Sequence, residues 1–229
     1  MVASLVRAIE DAVGDPARVV RSVTAEIPAP VASGDAELRV EILRAGNSVT
    51  TARADLCQGG EIRAHAVAIL AAPRPSASAV TWQELTPPEV PHWRTLAPMP
   101  TSPAFPEFTQ HFEYRLVEGL PGTGGAPRAL GWIRTRLPAG RSDAAYLAAM
   151  IDTWFPSTLV RLPQMRPMAT IAFTLELVGG PVELPDDVPL LYRATAPVLA
   201  DGYSLETREL WTEDGRLLAR NHQTFAVIA

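Results

Sequence analysis

The sequence predicts an α+β chain made of two repeats, each an antiparallel sheet wrapped around one helix. Three observations predict it: a helical pattern followed by four strand-like segments occurs twice, strand-like segments alternate apolar and polar residues, and a proline-dense stretch separates the two occurrences. A helix with one apolar face needs an apolar sheet face to cover it, so one sheet per helix is the simplest layered arrangement.

In the first repeat, Leu5, Ile9 and Val13 recur at i, i+4 and i+8 ahead of Gly14-Asp15-Pro16, the pattern of an amphipathic helix with a stop signal. Strands are expected over 19–27, 36–44, 48–58 and 61–71, separated by Ser33-Gly34-Asp35, Ala45-Gly46-Asn47 and Gly59-Gly60. Leu38-Arg39-Val40-Glu41-Ile42 alternates with period two, as in a strand with one buried face. Between Ala72 and Pro106 come Pro87, Pro88, Pro91, Pro98, Pro100, Pro103 and Pro106, so neither a helix nor a central strand persists there. The stretch reads as a linker packed along the surface, with Trp82 and Trp93 pinning it to the body.

Beyond the linker, strands are expected near 110–117 and 128–137, joined through the glycine-rich turn 119–125. A helix follows, with Ser142 as N-cap and Asp143 where the positive end of the dipole favours an anion, ending near Phe155 because Pro156 comes next. Four more strands are expected over 168–178, 189–200, 203–212 and 216–227. The chain thus divides into an incomplete N-terminal repeat (1–72), a proline-rich linker (73–107) and a C-terminal repeat (108–229). The second repeat has two strands ahead of its helix, whereas the first begins directly at the helix.

Composition narrows the partners. The 20 basic residues are all arginine and face 25 acidic ones, with a formal net charge of -5 and no basic stripe, which argues against a nucleic-acid partner. No run approaches a membrane span and no secretory leader is apparent, so the chain reads as cytoplasmic, without a membrane partner. Cys57 is the only cysteine, which excludes an intramolecular disulfide. His65, His92, His111 and His222 form no metal-ligand spacing, so no metal is expected.

This order of elements resembles the double-hotdog acyl-CoA thioesterases of the thioesterase II (TesB-like) type. In that family two copies of strand-strand-helix-strand-strand-strand-strand are joined by a proline-rich connector. The resemblance covers almost the whole chain, except that the strand pair preceding the first helix is missing. It implies a shortened first sheet, whose edge or helix flank another subunit or the linker must cover. Three local matches carry it. Ala148-Ala149-Met150-Ile151-Asp152-Thr153-Trp154 places the family's catalytic aspartate at Asp152, Met168-Ala169-Thr170-Ile171 its threonine at Thr170, and the final hairpin, Asp214 to Gln223, its glutamine at Gln223.

What the resemblance implies is hydrolysis of an acyl-CoA thioester, with coenzyme A as part of the substrate and no separate cofactor. Asp152, late in an apolar helix, would be the base, because helix dipole and burial both raise its basicity. Thr170 and Gln223 would hold the water by hydrogen bonds. Gln223 shares strand parity with Leu217, Ala219, Phe225 and Val227, so it should point to the apolar side, where an unpaired amide is costly. Trp154 and Phe155 adjoin Asp152 and would line an acyl channel, and Arg161, Arg166 and Arg208 are candidates for holding coenzyme A.

Taken alone, a helical aspartate is most often a solvated surface residue, a strand threonine is simply a good strand former, and the tryptophans are more often core than platform. Gly202-Tyr203-Ser204-Leu205-Glu206 lacks the last glycine of a nucleophile elbow, and no phosphate loop or dinucleotide fingerprint occurs. Aligning the repeats sets Arg7 or a neighbour opposite Asp152, Ser22 opposite Thr170 and Ala68 opposite Gln223, which predicts one site per chain, built mainly from the second repeat. The alternative is a non-catalytic acyl-CoA or acyl-ligand-binding protein that keeps the fold. Whether two chains pair as a homodimer stays open, as do the length and type of the acyl group.

Overall fold

The computed structural model describes residues 1–74, 81–102, 105–179 and 183–228. Helix α1 (Val2–Val13) buries Val2, Leu5, Val6 and Ile9 along one stripe and ends at Gly14. Gly14 closes it in the left-handed conformation, its N–H donating to the Glu10 carbonyl at 3.0 Å. Strands β1 (Val19–Glu26), β2 (Glu37–Ala45), β3 (Val49–Gln58) and β4 (Glu61–Ala71) follow. The second repeat comprises β5 (Phe112–Glu118), β6 (Arg128–Thr135), α2 (Ala144–Asp152), a short α3 (Thr158–Arg161), β7 (Met168–Leu177), β8 (Leu190–Ala200), β9 (Tyr203–Trp211) and β10 (Leu217–Val227). Among the described residues no helix is long and apolar enough to cross a membrane.

The two sheets expected from the repeats are halves of one antiparallel sheet, ordered β2-β3-β4-β1-β7-β10-β9-β8-β6-β5. β1 and β7 meet at the centre, with Thr24 opposite Thr174, so the inner edge of each half is satisfied by the other. The sheet wraps α1 and α2, which pack on each other near the Arg7–Asp143 ion pair. A second apolar cluster of Trp93, Trp132, Leu191, Trp211 and Leu217 fastens the linker.

The repeat is legible down to its irregularities. A bulge breaks the β1–β4 register between Val20 and Ser22, and one breaks β7–β10 between Thr224 and Phe225, with Thr170 opposite Phe225 and Ala172 opposite Thr224. Superposing the two bulges makes Val20 the counterpart of Thr170, not Ser22 as direct alignment predicted; the extra residue at the bulge is what a gapless reading misses. Ala68 remains the counterpart of Gln223, since they face Val23 and Phe173 at equivalent points.

Other expectations shift. The cap of α2 is Asp143 rather than Ser142, because the Asp143 carboxylate accepts from the Tyr146 N–H at 3.0 Å, three residues on. The helix stops at Asp152 rather than near Phe155, and α3 starts just past Pro156. In the linker, Trp93 is buried and its indole N–H donates to Glu213 at 2.7 Å, but Trp82 is 74% exposed and pins nothing; its neighbour Gln83 bonds Gly215 and Leu217 instead. Pro103 lies outside the described residues.

Candidate active site

Asp152 is the last residue of α2, and the chain around it is held from two sides. Arg208 on β9 donates to the Ile151 carbonyl at 3.0 Å, and the Tyr114 hydroxyl on β5 donates to the Thr153 carbonyl at 3.0 Å. Both satisfy carbonyls that a helix end leaves without intrahelical partners. A guanidinium there also complements the negative end of the dipole.

Thr170 lies near the start of β7 and Gln223 on β10. Without a bulge, alternation would send Thr170 and Phe173 to opposite faces; the extra residue puts both on the inner face, with Thr170 opposite Phe225 and Phe173 opposite Gln223. The Thr170 hydroxyl donates to Gln223 Oε1 at 3.0 Å, and Gln223 Nε2 donates to Asp152 Oδ1 at 3.0 Å. The structure therefore joins all three residues in one hydrogen-bonded row.

A fourth residue, passed over in the sequence, fixes the direction of that row. Asn221 is fully buried; its Oδ1 accepts from Gln223 Nε2 at 2.9 Å, and its Nδ2 donates to the Thr174 carbonyl at 2.8 Å. Flipping the Gln223 amide would set Oε1 against two acceptors, Asp152 and Asn221, so only one orientation satisfies the network. Thr170 gives its proton to Gln223 and keeps its lone pairs. Asp152 keeps Oδ2, which accepts no hydrogen bond from the described residues. Strand parity was the available signal, since Asn221 is two residues from Gln223 and shares its face.

Behind Asp152 lies a buried ion pair. Arg208 Nε donates to Glu206 Oε1 at 2.7 Å, and Glu206 Oε2 accepts from the Ser157 N–H at 2.6 Å and its hydroxyl at 2.7 Å. Arg208 also stands 3.7 Å from Asp152 Oδ1. Arg208 is 1% exposed, with Nε on Glu206 and Nη1 on the Ile151 carbonyl, so in place of an exposed group for coenzyme A the structure has a buried arginine packed under Asp152. Burial drives the Asp152 carboxyl above its ordinary pKa, while Arg208 and Gln223 pull it back without cancelling the rise. The side chain is 37% exposed, yet what it meets is a mainly apolar cavity that hydrates an anion poorly.

That cavity measures about 730 Å³, with Asp152, Thr170 and Arg208 in its lining. Its walls are mainly apolar, including Met99, Phe105, Phe108, Phe112, Met165 and Phe225. The linker thus does more than cross the surface: Met99 bonds the Tyr114 carbonyl through its N–H at 2.7 Å, holding residues of the linker as one wall. Trp154 and Phe155 also line it. Trp154 is buried, stacked on Tyr192 at 4.9 Å between ring centroids. Gly131 makes that placement possible, because a Cβ there would sit 2.7 Å from the Trp154 ring and 2.4 Å from the Arg115 carbonyl oxygen.

Of the arginines named for coenzyme A, Arg166 is exposed and lines the cavity, while Arg161 is exposed but does not. Arg136, just past β6, was not anticipated; it is exposed, lines the cavity and forms no ion pair among the described residues. An exposed arginine at a strand end carries no sequence signal, since only folding sets it beside Asp152.

Residues 83–227 match the family model described as the acyl-CoA thioesterase C-terminal domain, and residues 1–71 match the acyl-CoA thioesterase N-terminal domain. A search of curated proteins finds no match. Among solved structures, a conserved protein of unknown function with a hot dog fold from Alicyclobacillus acidocaldarius is 26% identical, with a TM-score of 0.85 over 99% of this chain and 85% of that one. A proposed thioesterase II from Thermobifida fusca is 20% identical with a TM-score of 0.82, over 100% of this chain and 85% of that one. The tesB protein of Mycobacterium avium subspecies paratuberculosis is 19% identical with a TM-score of 0.78, over the same shares. These likenesses establish the hotdog fold.

Proposed function

This chain belongs to the acyl-CoA thioesterase family, and we propose that it hydrolyses acyl-CoA thioesters with a water activated by Asp152, Thr170 and Gln223. The observation that carries the reading is the row Thr170–Gln223–Asp152 set against one side of a mainly apolar cavity that Arg136 and Arg166 also line. An apolar chamber suits an acyl chain, a carboxylate with a raised pKa suits a general base, and guanidinium groups that form no ion pair among the described residues suit the phosphates of coenzyme A.

In this reading the water donates one hydrogen bond to Asp152 Oδ2 and the other to a lone pair of Thr170. As its oxygen attacks the thioester carbon, its proton passes to Asp152. The tetrahedral intermediate then expels the sulfur: the C–S bond breaks, the acid is released, and the proton on Asp152 goes to the coenzyme A thiolate. Gln223 holds Asp152 and Thr170 at a fixed spacing rather than touching the water itself, because both its amide hydrogens are already engaged. Trp154 and Phe155 form part of the acyl wall.

The test is release of free thiol from a panel of saturated acyl-CoAs of increasing length. Wild-type turnover is expected, and Asp152→Asn should lower kcat by on the order of 10²–10⁴-fold, the usual worth of a positioned base. Tight binding of the same acyl-CoAs by the wild type with no thiol released would instead favour a non-catalytic acyl-ligand-binding protein.

A further inference from the structure

The mouth of the cavity is built from side chains that face it on one side and solvent on the other. Phe105, Phe108 and Met165 line the cavity, yet they are 38%, 48% and 58% exposed. Leu120, next to the lining residue Pro121, is 52% exposed. Arginines are interleaved with them: Arg136 and Arg166 in the lining and Arg161 on α3, all exposed and in no ion pair among the described residues. Glu107, between Phe105 and Phe108, is the acidic residue of this rim, and the guanidinium groups outnumber it. Exposed apolar side chains that stand singly are ordinary, but grouped around one opening they mark a surface that meets an apolar phase.

The rim is fastened to the body. Gly122 and Gly124 donate their backbone N–H groups to the carbonyls of Leu159 and Val160, both at 2.9 Å, which ties the loop bearing Leu120 to α3. At the start of α3, the Ser157 hydroxyl donates to Glu206 and the Thr158 hydroxyl is bonded to that of Ser204, both partners lying on β9. Glu206 is also the partner of Arg208 under Asp152, so the rim and the row Thr170–Gln223–Asp152 share one buried anchor. All of these residues lie in the second repeat or in the linker that leads into it, and the second repeat carries both strands ahead of its helix.

We propose that this rim docks on an anionic lipid bilayer, with the cavity opening toward the acyl chains. Phe105, Phe108, Leu120 and Met165 enter the boundary between headgroups and chains, and Arg161 meets headgroup phosphates. Arg136 and Arg166, in the lining, stay with the phosphates of coenzyme A. The inference rests on the acyl-CoA reading and names where the substrate is taken from: a thioester whose acyl chain lies in the bilayer passes into the cavity without exposing that chain to water. A bilayer fits better than a protein partner because the apolar side chains form a ring around an opening, and a fluid surface seals against such a ring without matching its shape. Docking of this kind needs no spanning helix. The expectation of no membrane partner came from runs along the sequence, which do not register a ring gathered from residues as far apart as Phe105 and Arg166.

Flotation of the full chain through a density gradient tests this without turnover, using vesicles of phosphatidylcholine alone or mixed with phosphatidylglycerol. The wild type should float with the mixed vesicles and less with phosphatidylcholine alone. Leu120→Ser should weaken partition about tenfold, the effect of withdrawing a leucine from an apolar phase. Arg161→Gln should weaken it about fivefold on the mixed vesicles, the effect of one charge near an anionic surface. Ile62→Ser, 41% exposed on β4 of the first repeat, should change nothing. Thermal melts check that each variant remains folded. Asp152→Asn should float like the wild type, so vesicle binding without thiol release would sink the hydrolase reading and leave the docking intact. A wild type that stays at the bottom of the gradient with mixed vesicles would overturn the proposal and leave the rim to an acidic protein. Equal flotation of the wild type, Leu120→Ser and Arg161→Gln would overturn it too, since the bilayer would then meet another face.

Discussion

Viewed from the helices, the two repeats carry the same bulged backbone and opposite chemistry. Ala52, Ala54, Ala66 and Ala68 in the first occupy the positions of Glu206, Arg208, Asn221 and Gln223 in the second, pair for pair across the hairpin. All four alanines are fully buried. Methyl groups let α1 rest close on its strands, as Leu5, Val6 and Ile9, with no exposed surface, record. Longer polar side chains hold the end of α2 off the sheet and must satisfy one another there. The candidate site therefore lies where an alanine floor is exchanged for a hydrogen-bonded network, and a half-satisfied network would be worse than none.

The largest effect should come from making the second repeat resemble the first. Combining Thr170→Val with Gln223→Ala supplies the residue types of Val20 and Ala68. Steady-state thiol release should fall by on the order of 10²-fold or more, while the circular dichroism spectrum keeps its shape and denaturant stability drops, since both residue types fill the equivalent places in the first repeat but the buried Asn221 loses its donor.

Arg208→Met sharpens the contrast through stability. It leaves Glu206 buried without its cation, so denaturant unfolding should show a loss of about 3–5 kcal/mol. Arg208 lowers the Asp152 pKa against the larger effect of burial. Removing it should move the acidic limb of the kcat/KM profile to higher pH in whatever fraction folds; an unmoved limb would mean that Arg208 is structural only.

Asn221→Ala should act more gently. With nothing to receive its second amide hydrogen, Gln223 is free to turn, and kcat should drop about tenfold with KM nearly constant, as expected for loss of positioning at the transition state.

The smallest effect lies where the repeats touch. Glu10 on α1 is pushed up to about 7 from 4.5, first by burial and then by Asp143, and its Oε2 has no hydrogen-bond partner among the described residues. The folded state then holds a proton that the unfolded chain gives up, so this contribution is complete below about pH 4.5 and is lost as pH rises through about 7. Glu10→Gln should raise stability by roughly 1 kcal/mol at pH 8, a figure reduced for solvent screening at a half-buried site, and by less at pH 5. Melting curves at both pH values measure it.

Much of this could be read before folding. The repeated order of helix and strands followed from periodicity, the two repeats from their shared turns, and Ala68 opposite Gln223 from aligning them. Thr170 opposite Val20 could not be seen, because a bulge is one residue inserted in a pairing register and leaves no mark on one strand alone. Trp82 and Trp93 looked equivalent in the linker, yet only Trp93 has a hydrophobic cluster and the Glu213 carboxylate beneath it.

What the sequence by itself determined is whatever depends on short-range order: where strands alternate, where α1 stops, and which residue types could carry the chemistry. Only the tertiary structure decided that Arg208 lies under Asp152 instead of meeting a phosphate, that Arg136 reaches the cavity, and that the linker becomes a wall. Each of those depends on contacts between residues dozens of positions apart, and their energy exists only once the sheet has closed around its helices.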